Sequence, residues 1–201
     1  MSDLLTRDRL VFKQKTKIIE MNQHFKIKDE EGNEIGDIVQ EGQSKLKKFV
    51  RLVGDVDQFF THTLSVYDSA GTKVIELTRP RKLVKSRVIV KDGTGGKVGQ
   101  IVQQNVLGKI RFDLEDTSGQ SLGMIKAENW RAWNFSIVDP TDREIGRITK
   151  KWEGLARTMF TTADHYMLEV EPSVQGKLRL FALASACAID LALKQDSRGL
   201  S

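Results

Sequence analysis

A chain of 201 residues, 39% hydrophobic and 29% charged, fits one domain or two small ones and is too apolar for wholesale disorder. Its 32 Lys and Arg against 27 Asp and Glu give a net charge of +5, which acts on a partner only where it is clustered. The single cysteine, Cys187, excludes an intramolecular disulfide and suits a reducing compartment.

The opening stretch MSDLLTRDRL has no apolar core of secretory-signal length. It lacks Gly at position 2, and the closing RGLS has no prenylation cysteine, so a cytoplasmic protein without a lipid anchor is expected. Strands are predicted at Leu10–Thr16 and at Ile18–Met21. From there a hairpin frame repeats: apolar-x-apolar-x-Asp-x-x-Gly, then a second apolar stretch. The copies start at Phe25, Leu64, Val88, Phe112 and Phe135. Their turn aspartates are Asp29, Asp68, Asp92, Asp116 and Asp139, at spacings of 39, 24, 24 and 23 residues.

Each copy has a physical reading. Alternating apolar residues form a half-buried strand. Asp at the first turn position accepts hydrogen bonds from backbone N–H groups further on, and Gly at the fourth tolerates positive φ. The fifth copy places Asp142 there, a cost Asp partly bears. A second glycine follows in four copies (Gly36, Gly99, Gly123, Gly146), with Ile two residues later on the same strand face; the second hairpin has Ile75 instead. Glycine inside a strand implies a close approach to the backbone, and a central helix packed inside a ring of strands would supply it.

Two segments depart from the frame. Gln43–Val53 spaces Leu46, Phe49, Val50 and Val53 as a short amphipathic helix, with Lys45, Lys47, Lys48 and Arg51 elsewhere on its wheel. Arg79, Arg81, Lys82, Lys85 and Arg87 put five basic residues into nine with no acidic one among them. A further strand is predicted at Tyr166–Val170. The sixteen residues Leu178–Leu193 are apolar on every side of the helical wheel, interrupted by Arg179, Ser185 and Asp190. At ~1.5 Å per residue the run is ~24 Å long, short of a bilayer's ~30 Å, so it reads as a core helix. Ten to twelve strands tend to close into a barrel. The expected fold is therefore mainly β (α+β): one domain over 1–201, hairpins over 18–170, and a closed antiparallel barrel around a helix at about 176–194.

The run Ile145-Gly-Arg-Ile-Thr-Lys-Lys-Trp152-Glu-Gly154, then Phe160-Thr-Thr-Ala-Asp164-His-Tyr and the apolar helix, resembles the C-terminal part of phospholipid scramblases. With Asp57-Gln58-Phe59-Phe60 and the hairpin repeat, the whole chain resembles the bacterial scramblase-related proteins, grouped with the plant LURP-one-related proteins among tubby-like folds. That resemblance implies a twelve-stranded barrel around the C-terminal helix and a role with phospholipid. The proline-rich arm and acylated cysteine cluster of eukaryotic scramblases have no counterpart. Their calcium segment, Asp-Ala-Asp-Asn, reads Thr162-Ala163-Asp164-His165 here, and one matching carboxylate falls short of the six to eight oxygens calcium takes.

No catalytic constellation emerges. Asp92-Gly-Thr-Gly-Gly-Lys97 lacks the hydroxyl residue and spacing of a phosphate loop. His24, His62 and His165 have no partner at metal-ligand spacing, Ser44 and Ser136 lack a nucleophile elbow, and Cys187 reads as a core residue. Trp130 and Trp133 read as packing residues, so no nucleic acid is expected. No cofactor or metal is expected either. Lys45, Lys47, Lys48, Arg51, Arg79, Arg81, Lys82, Lys85 and Arg87 are the candidate contacts for anionic phospholipid on a peripherally bound membrane protein. A soluble scaffold binding a protein partner, its basic clusters merely solvated, is the alternative.

Overall fold

The computed structural model describes residues 2–13, 24–41, 61–80, 86–104, 110–129, 134–150 and 165–196, without the side chains of 13, 24 and 190–196. The predicted strand at Ile18–Met21, the helix at Gln43–Val53 and the two tryptophans Trp130 and Trp133 lie outside these residues. A single turn of 3-10 helix, Asp3–Leu5, precedes the strands β1 (Arg9–Lys13), β2 (His24–Lys28), β3 (Glu34–Glu41), β4 (His62–Asp68), β5 (Lys73–Arg79) and β6 (Arg87–Asp92). There follow β7 (Lys97–Gln103), β8 (Arg111–Asp116), β9 (Ser121–Asn129), β10 (Asn134–Val138), β11 (Glu144–Thr149), β12 (His165–Val170) and the helix α1 (Gly176–Asp196).

The twelve strands form one closed antiparallel barrel. From β2 to β12 each strand pairs with its successor in the chain, and β1 closes the ring between β12 and β2. The period of two assigns the faces: Val88 and Val90, Ile101, Phe112 and Leu114, Ile125, Phe135 and Ile137 all point inward and are buried. Every strand has two neighbours, so no hydrogen-bonding edge is left open.

All five hairpins share one turn. In each, the fourth residue donates its N–H to the carbonyl of the turn aspartate, as Gly95 does to Asp92 at 3.0 Å, and the aspartate N–H returns to the carbonyl one residue later. This is a tight turn closed by a left-handed residue: φ is 87° at Gly32, 91° at Gly95 and 68° at Asp142. The apolar residue after each turn is then squeezed out of register, with bulges opposite Ile27/Lys28, Val66/Tyr67, Val90/Lys91, Leu114/Glu115 and Ile137/Val138. Asp142→Gly is expected to raise stability by about 0.5–1 kcal/mol, read as a higher urea midpoint, because left-handed φ strains a non-glycine residue. The exposed pair it makes with Lys126 is worth little against that gain.

The second glycines are required by something other than a central helix alone. A methyl group at Gly36 would sit 2.7 Å from the Tyr67 carbonyl oxygen on β4 and 2.9 Å from Leu4 of the 3-10 turn. At Gly99 it would collide with the Glu115 carbonyl of β8 first and with the Phe181 ring of α1 second. The carbonyl of the adjoining strand, pressed inward where the bulge coils the sheet, comes closest in both.

Helix α1 runs back through the barrel and packs on β5, β6, β7, β12 and the 3-10 turn. Residues 181–189 are all buried, which explains why this stretch is apolar on every side. Four alanines in 181–189, all buried, keep the rod thin enough to fit. No helix among the described residues is long and apolar enough to cross a membrane.

Candidate functional site

The meander gives the barrel two chemically different ends. The five tight turns, the β12–α1 connection and residues 2–8 ahead of β1 gather at the end where α1 begins. At the other end the chain leaves β3 at Glu41 and returns at His62, then leaves β5 at Arg79 and returns at Arg87.

At the turn end the aspartates are acceptors for their own loops. Asp92 Oδ1 takes the N–H of Thr94 at 2.9 Å and of Gly96 at 3.0 Å; Asp116 and Asp139 repeat the pattern. The hydroxyls of Thr94, Ser118 and Thr141 add a third bond of 2.6 Å each. These donors, the hydroxyls foremost, hold the carboxyls of Asp92, Asp116 and Asp139 below the ordinary Asp range. At Asp29, 3% exposed, burial pushes the other way, but the Asn33 side-chain and backbone N–H groups and the nearby Arg7 overcome it and the carboxyl is lowered too. Glu76 is lowered by its bond to Lys91. A carboxyl depressed in the fold stabilises it above the unfolded value and stops doing so as pH falls through the folded one. The urea midpoint is therefore expected to hold from pH 7 to about 5 and to fall steeply below about pH 4.

The same end is sealed by a buried cation. Arg179, in the first turn of α1 and 3% exposed, reaches Asp8 Oδ1 at 3.0 Å and the main-chain carbonyls of Arg7, Glu171 (3.3 Å) and Val174 (3.4 Å). Leu4, in the 3-10 turn that packs on α1, is 1% exposed. The N-terminal segment thus caps the helix entrance. In the sequence Arg179 is only an interruption of the apolar run; its carbonyl partners come together through the fold.

In the sequence the two basic clusters fall between β3 and β4 and between β5 and β6, and these four strands are consecutive around the ring. Lys45, Lys47, Lys48, Arg51, Arg81, Lys82 and Lys85 lie outside the described residues. Arg79 and Arg87 bracket the second cluster and face differently. Arg79 shares the inward face with Ile75 and Leu77 and is 4% exposed, so it is no surface contact; Arg87 is exposed. On the inner wall nearby, Gln40 Nε2 lies 3.0 Å from His62 Nδ1, and the Ser86 N–H donates to Gln103 Oε1 at 3.3 Å. A recess between α1 and the wall, lined by Ser86, Val88, Ile101, Phe112, Ile125, Ala188 and Ile189, has room for about one water molecule. It is too small for a substrate.

Among the described residues no group of three His, Cys, Asp or Glu side chains is placed to hold a metal. Cys187 is buried, 2% exposed, among the alanines of α1. Tyr166 stacks on Phe12 (centroids 5.2 Å apart, planes at 6°) and donates to the Ala186 carbonyl at 3.0 Å, joining the wall to the helix.

A closed twelve-stranded antiparallel barrel filled by its own C-terminal helix is the tubby-like architecture of scramblase-related proteins. The sequence model of the Scramblase family matches residues 2–193, nearly the entire chain, and the chain belongs to that family. Among curated proteins and solved structures none matches it.

Proposed function

We propose that this scramblase-family barrel acts without covalent chemistry, as a peripheral protein of the cytoplasmic membrane face that associates with anionic phospholipid. The observation that carries this reading is the pair of basic clusters in the sequence, Lys45–Arg51 between β3 and β4 and Arg81–Arg87 between β5 and β6, strands that are consecutive around the ring. Near an anionic surface each such residue contributes about 1 kcal/mol. Family membership favours phospholipid as the partner. With α1 enclosed in the barrel, lipid is met from outside the wall, and the helix takes no part in carrying it across.

Co-sedimentation with vesicles of phosphatidylserine and phosphatidylcholine tests the reading. Binding is expected to weaken as salt rises from 50 to 300 mM, concentrations chosen so that the screening length drops below ~10 Å, and to vanish on pure phosphatidylcholine. Replacing Lys45, Lys47 and Lys48 together with Ala is expected to weaken binding by about 100-fold, from three contributions of about 1 kcal/mol. No sedimentation on anionic vesicles at low salt would leave the soluble scaffold as the better reading.

A further inference from the structure

At the end where α1 finishes, the bore of the barrel carries an arc of polar side chains. His62 on β4, Arg79 on β5, Ser86 at the head of β6 and Gln103 on β7 are all buried, and no Asp or Glu among the described residues is buried beside them. Gln40 of β3 extends the arc through its 3.0 Å contact with His62 Nδ1. The register ties these positions together. His62 stands opposite Arg79. Ser86 and Gln103 exchange two hydrogen bonds: the Gln103 N–H donates to the Ser86 carbonyl at 2.9 Å, and the Ser86 N–H to Gln103 Oε1 at 3.3 Å.

Beside and below this arc the wall turns apolar. Gln103 is paired with Phe112, Phe112 with Ile125, and Val88 with Ile101. Those four apolar residues, with Ser86 at their head and Ala188 and Ile189 of α1 across from them, line the recess between helix and wall. It lies where α1, packed on β5, β6, β7 and β12, draws away from β8 and β9. Ala184 falls one turn before Ala188 on the same helix face. Phe181, two turns before Ala188, rests against Gly99 of β7 and floors the slot about 10 Å down. A dry apolar void forfeits the dispersion contacts of its lining, and an apolar guest restores them.

We infer that this mouth seats one acyl chain of an anionic phospholipid, the chain end running between α1 and β6–β9 and the phosphate held at the rim by Arg79, Ser86 and Gln103. This rests on the lipid association proposed above and adds the site. The lining matches an amphiphile: an apolar slot beneath a rim of hydrogen-bond donors and a guanidinium, with no carboxylate on that rim to repel a phosphate. At rest the recess admits about one water molecule, so the chain enters by parting helix from wall where the helix presents Ala184 and Ala188. The headgroup and the second chain stay outside the wall. Exposed Arg87, next to Ser86, is placed to meet the same headgroup from there.

Calorimetric titration of the lipid-free full chain with monomeric lysophosphatidic acid tests the site. Affinity is expected to rise about fourfold per methylene from the hexanoyl to the decanoyl ester and to level off once the slot is full. Glycerol 3-phosphate, the head alone, and dodecanol, the chain alone, are each expected to bind at least about tenfold more weakly than the dodecanoyl ester. Ala188→Leu, which fills the recess, is expected to weaken binding of that ester at least about tenfold. Should this variant fail to fold, the chain-length series on the unaltered protein decides. Three results overturn the slot while the lipid association stands: an affinity indifferent to chain length, a folded Ala188→Leu protein that binds as the unaltered one does, or no ester binding by a protein that still sediments on phosphatidylserine vesicles. Dodecanol binding as tightly as the ester overturns the phosphate seat. Binding to neither the ester nor the vesicles overturns both readings.

Discussion

Replacing Arg179 with Met is expected to lower the unfolding free energy by about 3 kcal/mol, seen as a fall in the urea midpoint with an unchanged slope. Methionine keeps much of the side-chain volume, so the loss is not a cavity. It comes from the carbonyls of Arg7 and Val174, which accept from the guanidinium at a sealed end of the barrel; the Glu171 carbonyl also accepts the Val174 N–H at 2.9 Å and keeps that bond. A buried acceptor left without its donor costs about 1–3 kcal/mol. Asp8, with its side chain 48% exposed, returns to water cheaply, and Asp8→Asn is therefore expected to cost under about 1 kcal/mol. A cation in the first turn also opposes the helix dipole, so Arg179 stands there for its carbonyl partners and not for helix propensity. An Asp8→Asn variant as damaged as Arg179→Met would show that the ion pair, and not the carbonyl cage, carries the seal.

Phe181→Ala is expected to cost about 3–5 kcal/mol, the usual loss for truncating a fully buried aromatic. Phe181 is wholly buried, and its ring tip rests against Gly99 of β7, the place in the wall where an added methyl would meet it at 2.9 Å. The bulged wall is too rigid to follow the shrinking side chain, because the Glu115 main-chain carbonyl of the adjoining strand already crowds Gly99 on the face that meets the ring. The expected readout is a thermal transition lowered by more than 10 °C; a loss under about 1 kcal/mol would mean that the wall collapses onto the helix.

Much of this architecture is legible in the sequence because its turn is demanding. Only a residue that can bond its own loop fits the first turn position, and only one that tolerates positive φ fits the fourth, so Asp-x-x-Gly recurs and marks the hairpins. The helix is legible for the opposite reason: a rod surrounded on all sides needs no polar face. Closure by β1 between β12 and β2 leaves no local mark, since Leu10–Leu168 and Phe12–Ile27 pairing joins distant segments. The reason for the in-strand glycines is likewise hidden, being a carbonyl on the neighbouring strand. Arg79 shows a signal outweighed by another. The period of two places it with Leu77 inside the barrel, while the crowd of basic residues around it suggests a surface.

The ring is completed by its first strand meeting its twelfth, and its filling follows both. A ribosome must therefore deliver nearly the whole chain before the wall can shut around anything. Until residues 176–196 emerge, the inward faces of the hairpins have only one another or a chaperone to cover them. Such non-local closure belongs to the millisecond-to-second class of folding reactions or slower. A chain stalled just short of the helix is expected to remain protease-sensitive along the hairpins already made.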